Sequence, residues 1–100
     1  MQNRKKSYKD HGVFDNEIGY IKSFCQNSNE AEKEIIRIAL SEMDPYIAGN
    51  VYKNLVDGLS YEKICKKDYL FIGKGDFYGY CRRGVGAIKR WMILYNIWEM

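Results

Sequence analysis

The stretch LSYEKICKKDYLFIGKGDFYGYCRRGVGAIKRWM (Leu59–Met92) decides how the chain is read. Ser60 can cap a short helix that ends near Lys67, with Leu59 before the cap and Ile64 four residues after it placed to form a hydrophobic staple. An apolar connector with two glycines, DYLFIGKG, follows. Asp76 can then cap a final helix whose inward stripe is Phe77, Cys81, Val85, Ile88, Met92 and Tyr95. Spacings of four, four, three, four and three keep those side chains on one helical face. The wider outer face carries Tyr78, Arg82, Arg83, Lys89 and Arg90. LFIGKGDFYGYC is aromatic and glycine-punctuated enough to be weighed as a β-hairpin. The stripe that continues beyond it favours helix from Asp76 onward, although Gly79, Gly84 and Gly86 each cost a helix ~1 kcal/mol relative to alanine.

Working back toward the N-terminus, the same signals recur. Asp44-Pro45 opens a helix with Asp as cap and Pro at the first helical position; it buries Ile47, Val51, Leu55 and Val56 and stops at Gly58. Ser28 or Asn29 caps the helix before it, whose early glutamates Glu30, Glu32 and Glu34 suit the positive end of its dipole. Ala31, Ile35, Ile38 and Ala39 face inward there, with Ile36 and Leu40 widening the apolar side. A first helix runs from an Asp15 cap to about Gln26, turning Ile18, Ile21, Phe24 and Cys25 to one side. Residues 1–12 (MQNRKKSYKDHG) lack apolar periodicity and are expected to form a flexible basic arm. The expected fold is therefore all-α, about five helices in a single domain over residues 13–100.

Composition agrees with one packed domain. The chain has 100 residues, 46% hydrophobic and 15% aromatic, with one proline, which is ample core material and no linker. No apolar run reaches membrane-spanning length, and the charged N-terminus lacks the apolar core of a signal peptide. The expected place of work is the cytosol, with no membrane partner. Cys25, Cys65 and Cys81 are widely spaced without a C-x-x-C, and are expected to be reduced thiols packed as small hydrophobes. The one histidine, His11, lies in the polar arm. A zinc site and a Cys/His catalytic pair would both need it, and no metal, cofactor or catalytic residue is expected.

Charge is unevenly spread. Residues 1–12 hold four basic residues and one acidic, 13–60 hold four against eight, and 61–92 hold eight against three. An acidic middle flanked by basic segments points to an anionic partner, nucleic acid first. A short helix, a turn and a cationic amphipathic helix over about 60–96 is the helix-turn-helix layout. Lys74, Tyr78 and Arg82, near the start of the second helix, are expected to read bases in the major groove of double-stranded DNA. Lys63, Lys66, Lys67, Arg83, Lys89 and Arg90 are expected to meet phosphates. Gly79 and Gly86, seven apart on the side of Arg83 and Arg90, would let another backbone, of DNA or of a helix, come close.

The strings NLVDGLSYEKI and YLFIGKGDFYGYCRRGVGAIKRW resemble the C-terminal part of phage transcriptional regulators of the RinA/ArpU type. The residues that carry the likeness are Tyr52, Leu55, Gly58, Ser60, Tyr61, Glu62, Ile64, Ile72, Gly73, Lys74, Phe77, Tyr78, Arg82, Arg83, Ile88 and Arg90. The resemblance covers roughly the last two-fifths of the chain. It implies a helix-turn-helix like sigma factor region four and a role in phage or mobile-element transcription. Where that family has a Ser/Thr pair opening its recognition helix, this chain has Gly75-Asp76, and three glycines replace helix-favouring residues.

The C-terminal segment WMILYNIWEM (Trp91–Met100) is nearly all apolar. A helix running through it must be buried on several sides. Trp91, Ile93, Leu94, Ile97 and Trp98 could form a homodimer seam, suited to paired DNA half-sites; equally, the tail could fold back between helices one and two. A rival function keeps the same surface for protein. The aromatic residues around Tyr69, Phe71, Tyr78 and Tyr80 could grip and inhibit a host nucleic-acid enzyme or a polymerase component such as RNA polymerase, since aromatic and Arg side chains also make protein hot spots.

Overall fold

The computed structural model describes residues 6–100. Five α-helices follow a short 3-10 turn at Lys9–His11: α1 (Asp15–Gln26), α2 (Glu30–Leu40), α3 (Pro45–Leu55), α4 (Tyr61–Lys67) and α5 (Lys74–Leu94). There is no strand among the described residues. The protein is all-α.

Most helix ends form where local chemistry places them. Asn29 and Glu32 cap α2 reciprocally, each side chain bonded to the other's backbone N–H at 2.8 Å, satisfying two donors that the first turn leaves open. The Asp44 carboxylate accepts from the Tyr46 N–H at 3.0 Å, with Pro45 at the first helical position. Ser60 Oγ accepts from the Lys63 N–H at 3.2 Å, and Gly58 takes the left-handed conformation (φ 72°) that turns the chain out of α3.

Two starts differ from expectation. Phe14, not Asp15, is the cap residue of α1: Glu17 reaches back to the Phe14 N–H at 2.9 Å, while Asp15 is the first helical residue. Gly73, not Asp76, caps α5. Asp76 falls at the third helical position, where its charge still complements the dipole. α2 is also rotated slightly from the predicted face, burying Ile36, Ala39 and Leu40 while Ala31 and Ile38 are exposed.

α5 is the central helix. It packs against α1, α2, α3 and the N-terminal turn, and α4 sits on α3. Phe77, Cys81, Val85, Ile88 and Met92 are all buried as the stripe predicts; Tyr95, the expected last member, is exposed. The glycines explain how a second side of α5 is also covered. A Cβ on Gly84 would lie 2.9 Å from Leu40 Cδ2 and 3.0 Å from Val51 Cγ1, so α2 and α3 approach α5 more closely than a methyl would allow. A Cβ on Gly86 would lie 2.7 Å from the His11 carbonyl oxygen. The backbone that Gly86 admits is therefore neither DNA nor a helix but the N-terminal turn.

The described part of the expected arm lies against α5. Val13 is buried, the Val13 and His11 N–H groups both bond to the Tyr8 carbonyl, and Lys89 and Arg82 of α5 hold the Gly12 and Lys6 carbonyls at 2.8 and 2.7 Å. Residues 6–12 are thus seated on α5. Arg4 and Lys5 lie outside the described residues.

The tail does not continue as helix. Asn96 adopts φ 59°, and the Asn96 and Ile97 N–H groups bond back to the Ile93 and Met92 carbonyls at 3.0 and 2.9 Å, the paired closure that ends a helix at a left-handed residue. The chain then turns onto α1. Trp98 meets the Tyr20 ring edge-on at 5.0 Å, and the Glu99 N–H donates to the Tyr20 hydroxyl at 3.0 Å. Trp91, Ile97 and Trp98 are half-buried and pack against the core, whereas Ile93 and Leu94 are exposed. Of the five residues expected to form a homodimer seam, Ile93 and Leu94 are thus the most exposed. No helix among the described residues is long and apolar enough to cross a membrane.

Candidate nucleic-acid interface

α4, the connector at residues 68–73 and the first turns of α5 form an elbow. Its inner side is built from aromatic rings. Tyr61 lies 5.6 Å from Phe77 between ring centroids, donates its hydroxyl to the Ile72 carbonyl at 2.8 Å, and gives its backbone N–H to the Tyr78 hydroxyl at 3.1 Å. Desolvation, then the nearby Cys65 thiol, holds the Tyr61 phenol above its ordinary value, so it stays the donor. Along the connector, side chains alternate: Leu70 is buried and Ile72 half-buried, while Tyr69 and Phe71 point outward, 75% and 79% exposed. That is the alternation of extended chain.

α4 presents the uncommitted charge. Lys63, Lys66 and Lys67, at spacings of three and four, share one helical face. All three are exposed, and none has an ion-pair partner among the described residues. Lys74 is also exposed but sits 2.6 Å from Glu62; that contact holds the Glu62 carboxyl below and the Lys74 ammonium above their ordinary values. An ion pair this open to water is weak and exchangeable.

The remaining expected contacts are committed within the fold. Lys89 points inward. Its Nζ lies 2.8 Å from Glu17 Oε1 and 2.8 Å from the Gly12 carbonyl, within 5.2 and 5.5 Å of the Phe14 and Trp98 ring centroids. Lys89 is thus a strut between α5, α1 and the N-terminal turn, and not a group on the outer face. Tyr78 is half-buried with its hydroxyl accepting from Tyr61, a brace for the elbow. Arg82 Nε donates to the Lys6 carbonyl at 2.7 Å. Arg83 and Arg90 both bind Glu42, at 3.0 and 2.8 Å. Nothing in the sequence around Glu42 marks it; it stands in the α2–α3 loop, more than forty residues from either arginine.

Tyr46 is a second residue without a local signal. Its hydroxyl donates to the Tyr69 carbonyl at 3.2 Å and accepts from the Phe71 N–H at 3.1 Å, so α3 pins the connector from outside. Elsewhere, a cleft of about 400 Å³ between α2 and α3 is lined by Leu40, Met43, Pro45, Ala48 and Tyr52, with Arg37 at its rim. Arg37 is engaged by Glu34 at 3.0 Å and lies over the Tyr52 ring, so the cleft offers an apolar wall and little free polarity. Among the described residues, no cluster of His, Cys, Asp and Glu is placed to hold a metal ion. No protein family, curated protein or solved structure matches the chain.

Proposed function

We propose that the protein is a nucleic-acid-binding module of the helix-turn-helix kind. Within that class we read it as a phage or mobile-element transcriptional regulator that binds double-stranded DNA through the α4–α5 elbow. The observation that carries this reading is the row Lys63, Lys66 and Lys67: three exposed cations on one face of α4, without ion-pair partners among the described residues, beside the exposed first residues of α5, Lys74 and Gly75. Lys74 joins them when phosphate displaces Glu62. The resemblance of Tyr52–Arg90 to RinA/ArpU-type regulators supports the same function. The working surface is smaller than the whole cationic helix, because Lys89 is held half-buried against Glu17, while Arg83 and Arg90 share Glu42 in more open pairs.

Anisotropy of a labelled random duplex tests the reading. Affinity should fall steeply between about 50 and 200 mM salt, and Lys63→Gln, Lys66→Gln and Lys67→Gln should each reduce the logarithmic salt slope by about 1. Absence of binding at the lowest salt overturns it.

A second reading is favoured by the exposure of Tyr69 and Phe71. On it, the protein binds and inhibits a host nucleic-acid enzyme or a polymerase component through the same elbow. Such an interface of aromatic anchors would be nearly indifferent to salt.

A further inference from the structure

We infer that the connector between α4 and α5 is a stacking platform for unpaired nucleobases, so that the preferred ligand of the elbow is DNA with extruded or single-stranded bases and not an intact duplex. This deepens the DNA-binding reading above and rests on it.

The platform is built from three rings. Phe71 lies 6.0 Å from Tyr46 and 5.0 Å from Tyr69 between ring centroids, the latter pair edge-on. Two aromatic side chains this exposed are expected to collapse onto the nearest apolar surface unless the backbone forbids it. Here it does. Leu70 and Ile72 anchor the alternate positions inward, and the Tyr46 hydroxyl ties the backbone on both sides of Leu70. The rings are therefore presented before any ligand arrives, and ordering them costs little on binding.

Charge identifies the occupant. Lys66 and Lys67 stand two to three residues before Tyr69, on the face of α4 that also carries Lys63. Two of the three acids of the elbow are paired, Glu62 with Lys74 at 2.6 Å and Asp68 with Lys53 at 3.5 Å; Asp76, in the first turn of α5, stands against the three unpaired lysines of α4. A surface combining exposed rings with uncompensated lysines matches a ligand that alternates flat π-faces with anionic links, as a single strand does. Within a closed duplex the base faces are occupied by their neighbours, so these rings can engage only where a base leaves the stack.

The test uses the full chain and three labelled oligonucleotides of one sequence: an intact duplex, the same duplex with an unpaired bulge, and the single strand. The bulged and single-stranded forms should bind about tenfold tighter than the duplex. Phe71→Ala and Tyr69→Ala should abolish that preference while leaving duplex affinity unchanged, and Phe71→Trp should retain it. Both residues are exposed, so thermal melting should show the fold intact. Tyr46→Phe, which removes no ring but releases the connector, should weaken the preference. Equal binding of all three ligands overturns the inference and leaves the duplex-binding function standing. Preference undiminished in Phe71→Ala also overturns it, and hands the rings to a protein partner. Failure to bind any of the three overturns the inference together with the function on which it rests.

Discussion

Lys89 of α5 and Glu17 of α1 meet at 2.8 Å with side chains only 15% and 13% exposed. The contact holds the Glu17 carboxyl below its ordinary 4.5, through the Lys89 hydrogen bond first and the Phe14 N–H second. A carboxyl depressed by folding stabilises the native state above its ordinary value, and that contribution is lost as pH falls through the folded value. Lys89→Met should lower the melting temperature by several degrees, because it leaves Glu17 largely shielded without its cation. Adding Glu17→Gln should recover part of the loss, and the salt slope for duplex binding should match the parent. A reduced slope would make Lys89 a phosphate contact after all.

Glu42 pairs with two arginines, half-buried Arg83 and exposed Arg90. Glu42→Gln should release Arg83 and Arg90, raising duplex affinity and steepening the salt slope by up to about 2. An unchanged slope would show that this side of α5 faces away from the DNA.

The glycines separate into two kinds. Gly19 and Gly49 lie inside α1 and α3, and an alanine methyl at either would have nothing within 4 Å; that substitution should stabilise the protein by about 0.5–1 kcal/mol. Gly86→Ala drives a methyl into the His11 backbone and should destabilise by about 1–3 kcal/mol despite its better helix propensity. Urea denaturation of the three variants should show opposite signs, and a stabilised Gly86→Ala would mean that the N-terminal turn does not rest on α5.

His11 should make stability depend on mildly acidic pH. Burial first, then Lys6, Arg82 and Arg83, hold its imidazole below the ordinary 6.5, with Asp10 opposing, and its Nε2 is buried without a hydrogen-bond partner. Between the folded value and 6.5 the unfolded chain binds more protons, so stability is full above pH 6.5 and declines as pH falls below it. Urea midpoints measured on either side of that value should differ, and His11→Gln should flatten the difference.

Cysteine reactivity should be selective. Burial pushes the Cys25 and Cys81 thiols from 9.0 up to about 12, which cuts their thiolate fraction by about a thousandfold. Cys65 is only half-buried. A maleimide reagent should label one thiol in the native protein and three after denaturation; rapid labelling of two or more would contradict the packing of α1 against α5.

What the sequence makes legible follows from how far each interaction reaches. The caps at Asn29, Asp44 and Ser60 and the stripe from Phe77 to Met92 are written in neighbouring residues, and they stand where the pattern places them. Lys89, Arg83 and Arg90 mislead because a cation on a helix looks the same whether it faces water or a carboxylate forty or seventy residues away. The same distance hides Glu42 and the pin at Tyr46. Gly84 and Gly86 look like a cost to the helix; they are the positions where Leu40, Val51 and the His11 backbone lie within about 3 Å of where a methyl would stand. The bend at Asn96 is concealed by apolar residues on both sides of it, which suit a buried helix and a folded-back tail equally well.

The order of elements has a consequence for the chain as it is made. α1, α2, α3 and the N-terminal turn all close upon α5, the last of the five helices to be synthesised. A nascent polypeptide carrying α1 to α4 has its apolar stripes but not the helix that covers them, and isolated helices of 7 to 12 residues are marginal in water. The core can therefore close only once α5 is available to the helices made before it.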